Sequence, residues 1–233
     1  LYKITFIPYQ ITINFLCQVA TDFKPSLIST VFLSLIVIIG LPAFSQADNQ
    51  KDADKIVLAD FSKYPESWKA KGGFSKANNI YKIVNNKKVI YLSANVESDS
   101  VRIFKKISWS SKTHPIIEWK WRVKKWPKDK PASAYLYVSL DRDLVGIPTI
   151  IKYVWSSDLK KGTIKKGGVF SPTEVVIQSG PADSNDWTVQ RLNARTDFKQ
   201  FLGRDPKDEA YGIGILVDTG MQIDFAKITA LRE

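Results

Sequence analysis

The sequence predicts an all-β protein: a single-domain β-sandwich of the jelly-roll kind, with one short helix near 197–202. Three observations lead there. Between Pro115 and Trp126, Ile117, Trp119, Trp121 and Val123 alternate with Glu118, Lys120 and Arg122. That period of two is the pattern of a half-buried strand, whose successive side chains point to opposite faces of a sheet. Some eleven short runs rich in Val, Ile, Tyr, Phe and Trp follow one another from Ile56 onward, separated by turn residues. Neither heptads nor an internal repeat interrupts them, so one sheet-on-sheet core is the economical arrangement.

In chain order, the first stretch stands apart. Lys24 precedes an apolar run within Ser26–Ala47 that Pro42 breaks, and small residues stand at Ser45 and Ala47. A basic flank, an apolar segment and an A-x-A-like site form the layout of a secretory signal peptide. Leu27–Leu41 is shorter than the ~20 apolar residues of a spanning helix and contains Ser29, Thr30 and Ser34. Residues 1–47 are therefore read as an upstream extension plus signal peptide, and the polar stretch 48–55 as a mobile leader. The alternative is an uncleaved segment, 27–44, anchoring the chain to the inner membrane. Export to the periplasm or beyond is the expectation.

The body, 56–233, contains the predicted strands Ile56–Phe61, Ile80–Val84, Lys88–Ala94, Val101–Ile107, Ile116–Val123, Ala134–Asp141, Thr149–Trp155, Glu174–Ser179, Trp187–Ala194, Gly212–Asp218 and Ile223–Leu231. Asn85-Asn86-Lys87 suits a short hairpin turn. The helix is predicted over Asp197–Leu202, with Asp197 as cap or first-turn acid and Gly203 as its stop. Lys160–Gly168 reads as a basic, glycine-rich loop at a sheet edge or over one face.

Composition narrows the chemistry. The formal net charge is +11, and residues 1–47 contribute only Lys3, Lys24 and Asp22 to it, so the basic excess belongs to the body. Such a surface favours anionic neighbours, although lysines also keep β-proteins soluble and protect sheet edges. The one cysteine, Cys17, lies ahead of the apolar run, which leaves the body without disulfides, a thiolate nucleophile or a cysteine metal site. His114 is the sole histidine and no G-x-S-x-G elbow is present, so a serine triad has no support. No cofactor and no metal are expected.

The order Trp119-Lys-Trp121-Arg-Val123, Tyr153-Val-Trp155, Gln178-Ser-Gly180 with Trp187, Asp197-Phe198 through Phe201-Leu-Gly203, and Ile215-Leu-Val-Asp218 resembles a family of exported bacterial proteins, the domain of unknown function DUF3047. The similarity extends from Ile56 to the C-terminus. It implies a sugar-binding-like β-sandwich in the periplasm with no assigned function. Lys128–Tyr137 stands where the family carries an acidic pair and an arginine-bearing strand. Of the family's late Asp-x-Asp motif, here Asp218-Thr219-Gly220, only Asp218 is kept.

Two functions compete. A carbohydrate-active hydrolase would need two carboxylates facing each other across a cleft, drawn from Glu118, Asp141, Asp143, Asp197 and Asp218. Non-catalytic binding of a cell-envelope or environmental glycan fits the heavy aromatic content better. Trp119, Trp121 and Trp155 fall in apolar strand patterns and are assigned to the core. Tyr135, Tyr137 and Asp141 share the opposite face from Ala134, Leu136, Val138 and Leu140, and Arg191 and Asn193 share Trp187's face. The expected ligand-binding residues are therefore Tyr135, Tyr137, Asp141, Trp126, Arg191, Asn193 and Asp218. The partner is a glycan or an anionic envelope component. Nucleic acid is not expected, and membrane contact is assigned to the signal segment alone.

Overall fold

The computed structural model describes residues 54–86, 89–143, 146–168, 171–180 and 186–233. The expected signal peptide, the 27–44 stretch, most of the expected 48–55 leader and Lys87 of the expected hairpin turn lie outside them. Among the described residues, no helix is long and apolar enough to cross a membrane.

Two seven-stranded sheets form a sandwich. The first contains β1 (Lys55–Ala59), β3 (Tyr81–Asn85), β4 (Ile90–Asn95), β6 (Ile116–Lys125), β11 (Thr188–Asn193), β13 (Gln222–Phe225) and β14 (Ile228–Leu231). The second contains β2 (Trp68–Ala70), β5 (Ile103–Lys106), β7 (Ser133–Arg142), β8 (Pro148–Ser156), β9 (Ile164–Lys165), β10 (Thr173–Ser179) and β12 (Gly212–Val217). The chain crosses repeatedly from one sheet to the other, as in a jelly roll. The second sheet runs β2-β5-β12-β7-β8-β10-β9, antiparallel except where β8 and β10 lie parallel. In the first, β6 is the central strand: β13 and β14 share one of its edges and β11 takes the other.

The pattern that opens the sequence argument holds in detail. Trp119 and Trp121 are 0 % exposed, and with Ile117 and Val123 they enter the core from β6. Facing them are Ala134, Leu136, Val138 and Leu140 of β7 and Ile151, Tyr153 and Trp155 of β8, all buried. Ring centroids meet across the layers at 5.8 Å for Trp119–Tyr153 and 5.4 Å for Trp121–Trp155. Offset and tilted aromatic pairs of this kind add to the burial of their large apolar area.

The structure differs from the expectation in five places. Ile223–Leu231 is two strands, broken at Ala226-Lys227, where the Ala226 N–H turns to the Lys120 carbonyl. Trp68–Ala70 and Ile164–Lys165 are additional short strands, the second lying inside the stretch expected to be a loop. Segments this short carry too few residues to show a period. An additional helix, α1 (Phe74–Ile80), follows Gly73. Its Asn78-Asn79 pair is poor helix material, and packing supports it instead: Ala77 and Ile80 are buried and Phe74 meets the Tyr64 ring at 6.4 Å. The expected helix is α2 (Ala194–Leu202), longer by a turn. Its cap is Asn193, whose side chain accepts from the Thr196 N–H at 2.9 Å, while Asp197 is the first-turn acid. Gly203, at φ 71°, ends it in the left-handed conformation as expected.

Candidate functional site

The outer face of the second sheet carries a groove, and strand register explains its shape. Across five strands, Phe104 lies opposite Gly214, Gly214 opposite Tyr137, Tyr137 opposite Lys152, and Lys152 opposite Glu174. The neighbouring row runs Lys106, Gly212, Ser139, Ile150. Alternation sends these side chains away from the core, because Ile103, Val138, Ile151 and Ile213 between them are buried inward. The two glycines leave β12 bare in the middle of both rows. A Cβ at Gly212 would sit 2.5 Å from the Lys105 carbonyl oxygen, and one at Gly214 3.0 Å from that of Ile103. The bare strand thus opens a cavity of about 670 Å³ that includes Arg102, Phe104, Tyr137, Ser139, Lys152 and Tyr211 in its lining. Gly167, Gly168 and Ser171–Thr173 form one side, with the Gly168 N–H held by Ser171 Oγ at 2.8 Å.

Cations lie against the rings of this groove. Lys152 Nζ is 5.2 Å from the centroids of both Tyr135 and Tyr137, and 2.6 Å from Glu174 Oε1. The Arg102 guanidinium stands 5.6 Å from Tyr137 and 6.0 Å from Phe104, and Lys106 Nζ 5.3 Å from Tyr211. A cation over an aromatic face is held electrostatically while its polar edge stays available. Burial raises the Tyr137 hydroxyl above the ordinary tyrosine range, against the opposing pull of Lys152 and Arg102.

The seven expected binding residues do not converge. Tyr137 lines the groove, and Tyr135 stands next to it, 6.4 Å away ring to ring. Asp218 accepts hydrogen bonds from the Ser133 N–H at 2.9 Å and the Tyr135 hydroxyl at 3.2 Å, and burial raises its pKa. Asp141 is 2 % exposed and paired with Arg204 and, at 3.6 Å, Lys207. A register shift between Ser139 and Asp141 takes it out of the alternation that placed it beside Tyr137. Trp126 is half-buried, its ring 6.3 Å from Trp155. Arg191 and Asn193 belong to the other sheet: Arg191 faces Glu118 at 4.0 Å, and Asn193 caps α2 and donates to Glu233 at 3.2 Å.

The five carboxylates considered for hydrolysis are dispersed as well. Only Asp143 lines the groove. Asp197 is engaged by Tyr153, Asp141 by Arg204, Asp218 by Tyr135, and Glu118 lies on the first sheet. No group of three or more metal-ligating side chains occurs among the described residues.

Sequence reasoning missed Arg102, Phe104, Lys152, Gly212 and Gly214. The signal for the glycines was the Gly-Ile-Gly-Ile alternation at 212–215, which puts both bare positions on one face of a strand.

No curated protein matches the chain. Residues 142–227 match the family described as Protein of unknown function (DUF3047). That stretch takes in β8–β13 and α2, narrower than the Ile56-to-C-terminus span of the expected resemblance; Tyr153-Val-Trp155 and Ile215-Leu-Val-Asp218 fall within it. Among solved structures, the chain is similar to the family 30 carbohydrate-binding module of a cellulosomal cellulase of Clostridium thermocellum, at 12 % identity and TM-score 0.41, covering 75 % of this chain and 98 % of that one. It is also similar to the family 11 carbohydrate-binding module from the same organism in complex with a β-1,3-1,4-mixed-linked tetrasaccharide, at 12 % identity and TM-score 0.40, covering 77 % and 96 %. A third is the K3 cleaved adhesin domain of Lys-gingipain from Porphyromonas gingivalis, at 8 % identity and TM-score 0.40, covering 76 % and 99 %.

Proposed function

We propose that this is an exported, non-catalytic glycan-binding protein and that the groove on the second sheet holds the sugar. One observation supports the reading above the others. Bare Gly214 lies between Phe104 and Tyr137, and bare Gly212 between Lys106 and Ser139, with Lys152 beside Tyr137, in a half-open cavity of about 670 Å³. A pyranose ring has an apolar C–H face and a polar hydroxyl rim, and such a groove offers rings for the one and donors for the other. Its volume lies within the range of ligand sites.

The test is a glycan array probed with the full chain, followed by titration of the best ligand against Phe104→Leu and Gly214→Ala. Binding that both substitutions weaken supports the groove. A folded protein that binds no glycan, or one whose binding ignores both substitutions, sinks the reading. Turnover in a glycosidase screen would favour the hydrolase instead. Export to the periplasm or medium belongs to the same proposal; cell fractionation tests it, and recovery of the chain with the inner membrane would favour the anchored alternative through 27–44.

A further inference from the structure

We infer that the groove takes an acidic oligosaccharide, one carrying uronate carboxylates, and that Arg102 and Lys106 hold those carboxylates. The inference rests on the glycan-binding reading and adds the class of sugar. Arg102, Phe104 and Lys106 alternate along one edge of the groove, so the Phe104 ring stands between two cations, with the Arg102 guanidinium 6.0 Å from its centroid. Among the described residues neither charge has an ion-pair partner, unlike that of Lys152. Lys152 is neutralised by Glu174 at 2.6 Å, whereas among the described residues no carboxylate lies within ion-pair distance of Arg102 or Lys106. The groove supplies little negative charge of its own. Besides Glu174, which is paired with Lys152, the carboxylate in its lining among the described residues is Asp143, whose Oδ1 already accepts from the Ile147 N–H at 2.7 Å.

Both cations lie against aromatic rings. The Arg102 guanidinium is half-buried against Tyr137 and Phe104, and the Lys106 ammonium lies 5.3 Å from the Tyr211 ring. A guanidinium presents a planar fork of donors that matches a carboxylate in two parallel hydrogen bonds. A neutral sugar stacking on Phe104 would shed water from both cations and return no charge, which is unfavourable. A uronate in the same position returns it.

The full chain is titrated with tetragalacturonate, with its carboxyl-reduced neutral counterpart, and with an octathymidylate, each at about 10 and about 150 mM salt. The acidic sugar is expected to bind at least about tenfold more tightly than the neutral one. Arg102→Gln and Lys106→Gln should each remove most of that preference, read as the ratio of acidic-sugar to neutral-sugar affinity within the same variant. Lys106 is exposed, so its variant keeps the test decisive if Arg102→Gln fails to fold. Equal binding of acidic and neutral sugars, indifferent to both substitutions, overturns the inference and leaves glycan binding intact. Failure of a folded protein to bind either sugar, or anything on the glycan array, removes both. Octathymidylate binding as tight as the acidic sugar, with a steep loss at the higher salt, overturns it in favour of a general polyanion surface.

Discussion

The Tyr153 hydroxyl, buried in the core beneath α2, donates a hydrogen bond of 2.8 Å to Asp197 Oδ2 in the helix's first turn. It ties the aromatic core of β8 to the segment that follows β11. Burial raises the Asp197 carboxyl above its ordinary value of 3.8, and the bond from Tyr153 offsets only part of that. Above 3.8 the folded state therefore holds its proton longer than the unfolded chain does. Stability from this group is greatest in acid and declines as pH rises through and beyond the ordinary carboxylate range. Asn at 197 keeps an acceptor for Tyr153 and cannot ionise. Urea unfolding of wild type and Asp197→Asn from about pH 3 to pH 7 should show the variant gaining on wild type as pH rises. A constant difference would mean that the carboxyl is not shifted. Tyr153→Phe, which leaves the acceptor without its donor, should cost about 1–3 kcal/mol.

Among the described residues, the three fully buried tryptophans, Trp119, Trp121 and Trp155, are not equivalent. Among the described residues the indole N–H groups of Trp119 and Trp121 meet no acceptor, whereas Trp155 Nε1–H donates to the Gly180 carbonyl at 2.8 Å. Trp→Phe removes similar volume at each position, but only at 155 does it also break a hydrogen bond. Trp155→Phe should therefore cost about 1 kcal/mol more than Trp121→Phe, read as a shift in urea midpoint at constant slope. Trp121→Ala, which empties a fully enclosed site, should cost about 3–5 kcal/mol.

This core was legible because β6 and β7 are long enough to show their period. Ten residues at alternation leave no ambiguity about which face holds Trp119 and Trp121. The site was legible only in part, and for a physical reason. Alternation tells which side chains share a face of one strand, and it placed Tyr135 and Tyr137 outside the core. It says nothing about which strands lie side by side. Phe104, Gly214, Tyr137 and Lys152 form a row only because β5, β12, β7 and β8 pair in that order, and they come from four separate parts of the chain. The same ignorance joined Arg191 and Asn193 to the tyrosines, although they belong to the opposite sheet. Asp141 was lost to a local register shift that no residue type announces.

Tyr137 shows what placement alone overlooks. Its face is the groove's, yet it is only 6 % exposed, wedged beneath Arg102 and Lys152. Tyr137→Ala should therefore lose stability, by about 3 kcal/mol, along with any ligand, and a loss of binding in that variant alone would be ambiguous. Tyr137→Phe keeps the ring, and its melting temperature should stay near wild type. A large drop would mean that the hydroxyl serves the fold.

The bare strand β12 gives a sharper probe of the groove. At Gly212 a methyl group would meet the Lys105 backbone carbonyl at 2.5 Å, so β5 and β12 would have to separate. Gly212→Ala should destabilise the domain by about 1–3 kcal/mol. At Gly214 the nearest atoms are 3.0 Å away or more, and two of the three are the Cβ atoms of Phe104 and Tyr137. Gly214→Ala should cost less in thermal denaturation and more in ligand titration, because its methyl fills the gap between the rings. Equal thermal losses at the two positions would show that the gap between Phe104 and Tyr137 has no separate role.

The outer face of the first sheet carries a second aromatic cluster, and its centre is an ion pair. Arg122 Nε lies 2.8 Å from Asp224 Oδ2, with side-chain exposures of 18 % and 4 %. The guanidinium carbon is 4.6 Å from the Trp187 ring centroid and 5.1 Å from that of Tyr91, and the two rings meet edge-on at 5.5 Å. The rings shield the pair from water, so removing one partner strands the other in a poorly solvated position. Asp224→Ala should cost about 3–5 kcal/mol. Replacing both charges, as in Arg122→Met with Asp224→Leu, should recover much of that loss, since a buried pair is repaid only in part for its desolvation. Arg122→Lys keeps the charge but forfeits the planar stack and should fall between these extremes. Denaturant midpoints for Arg122→Met, Asp224→Leu and the double variant that combines them decide the matter. If the double variant is as unstable as the sum of the singles, the cluster is held by the rings, and the ion pair adds nothing of its own.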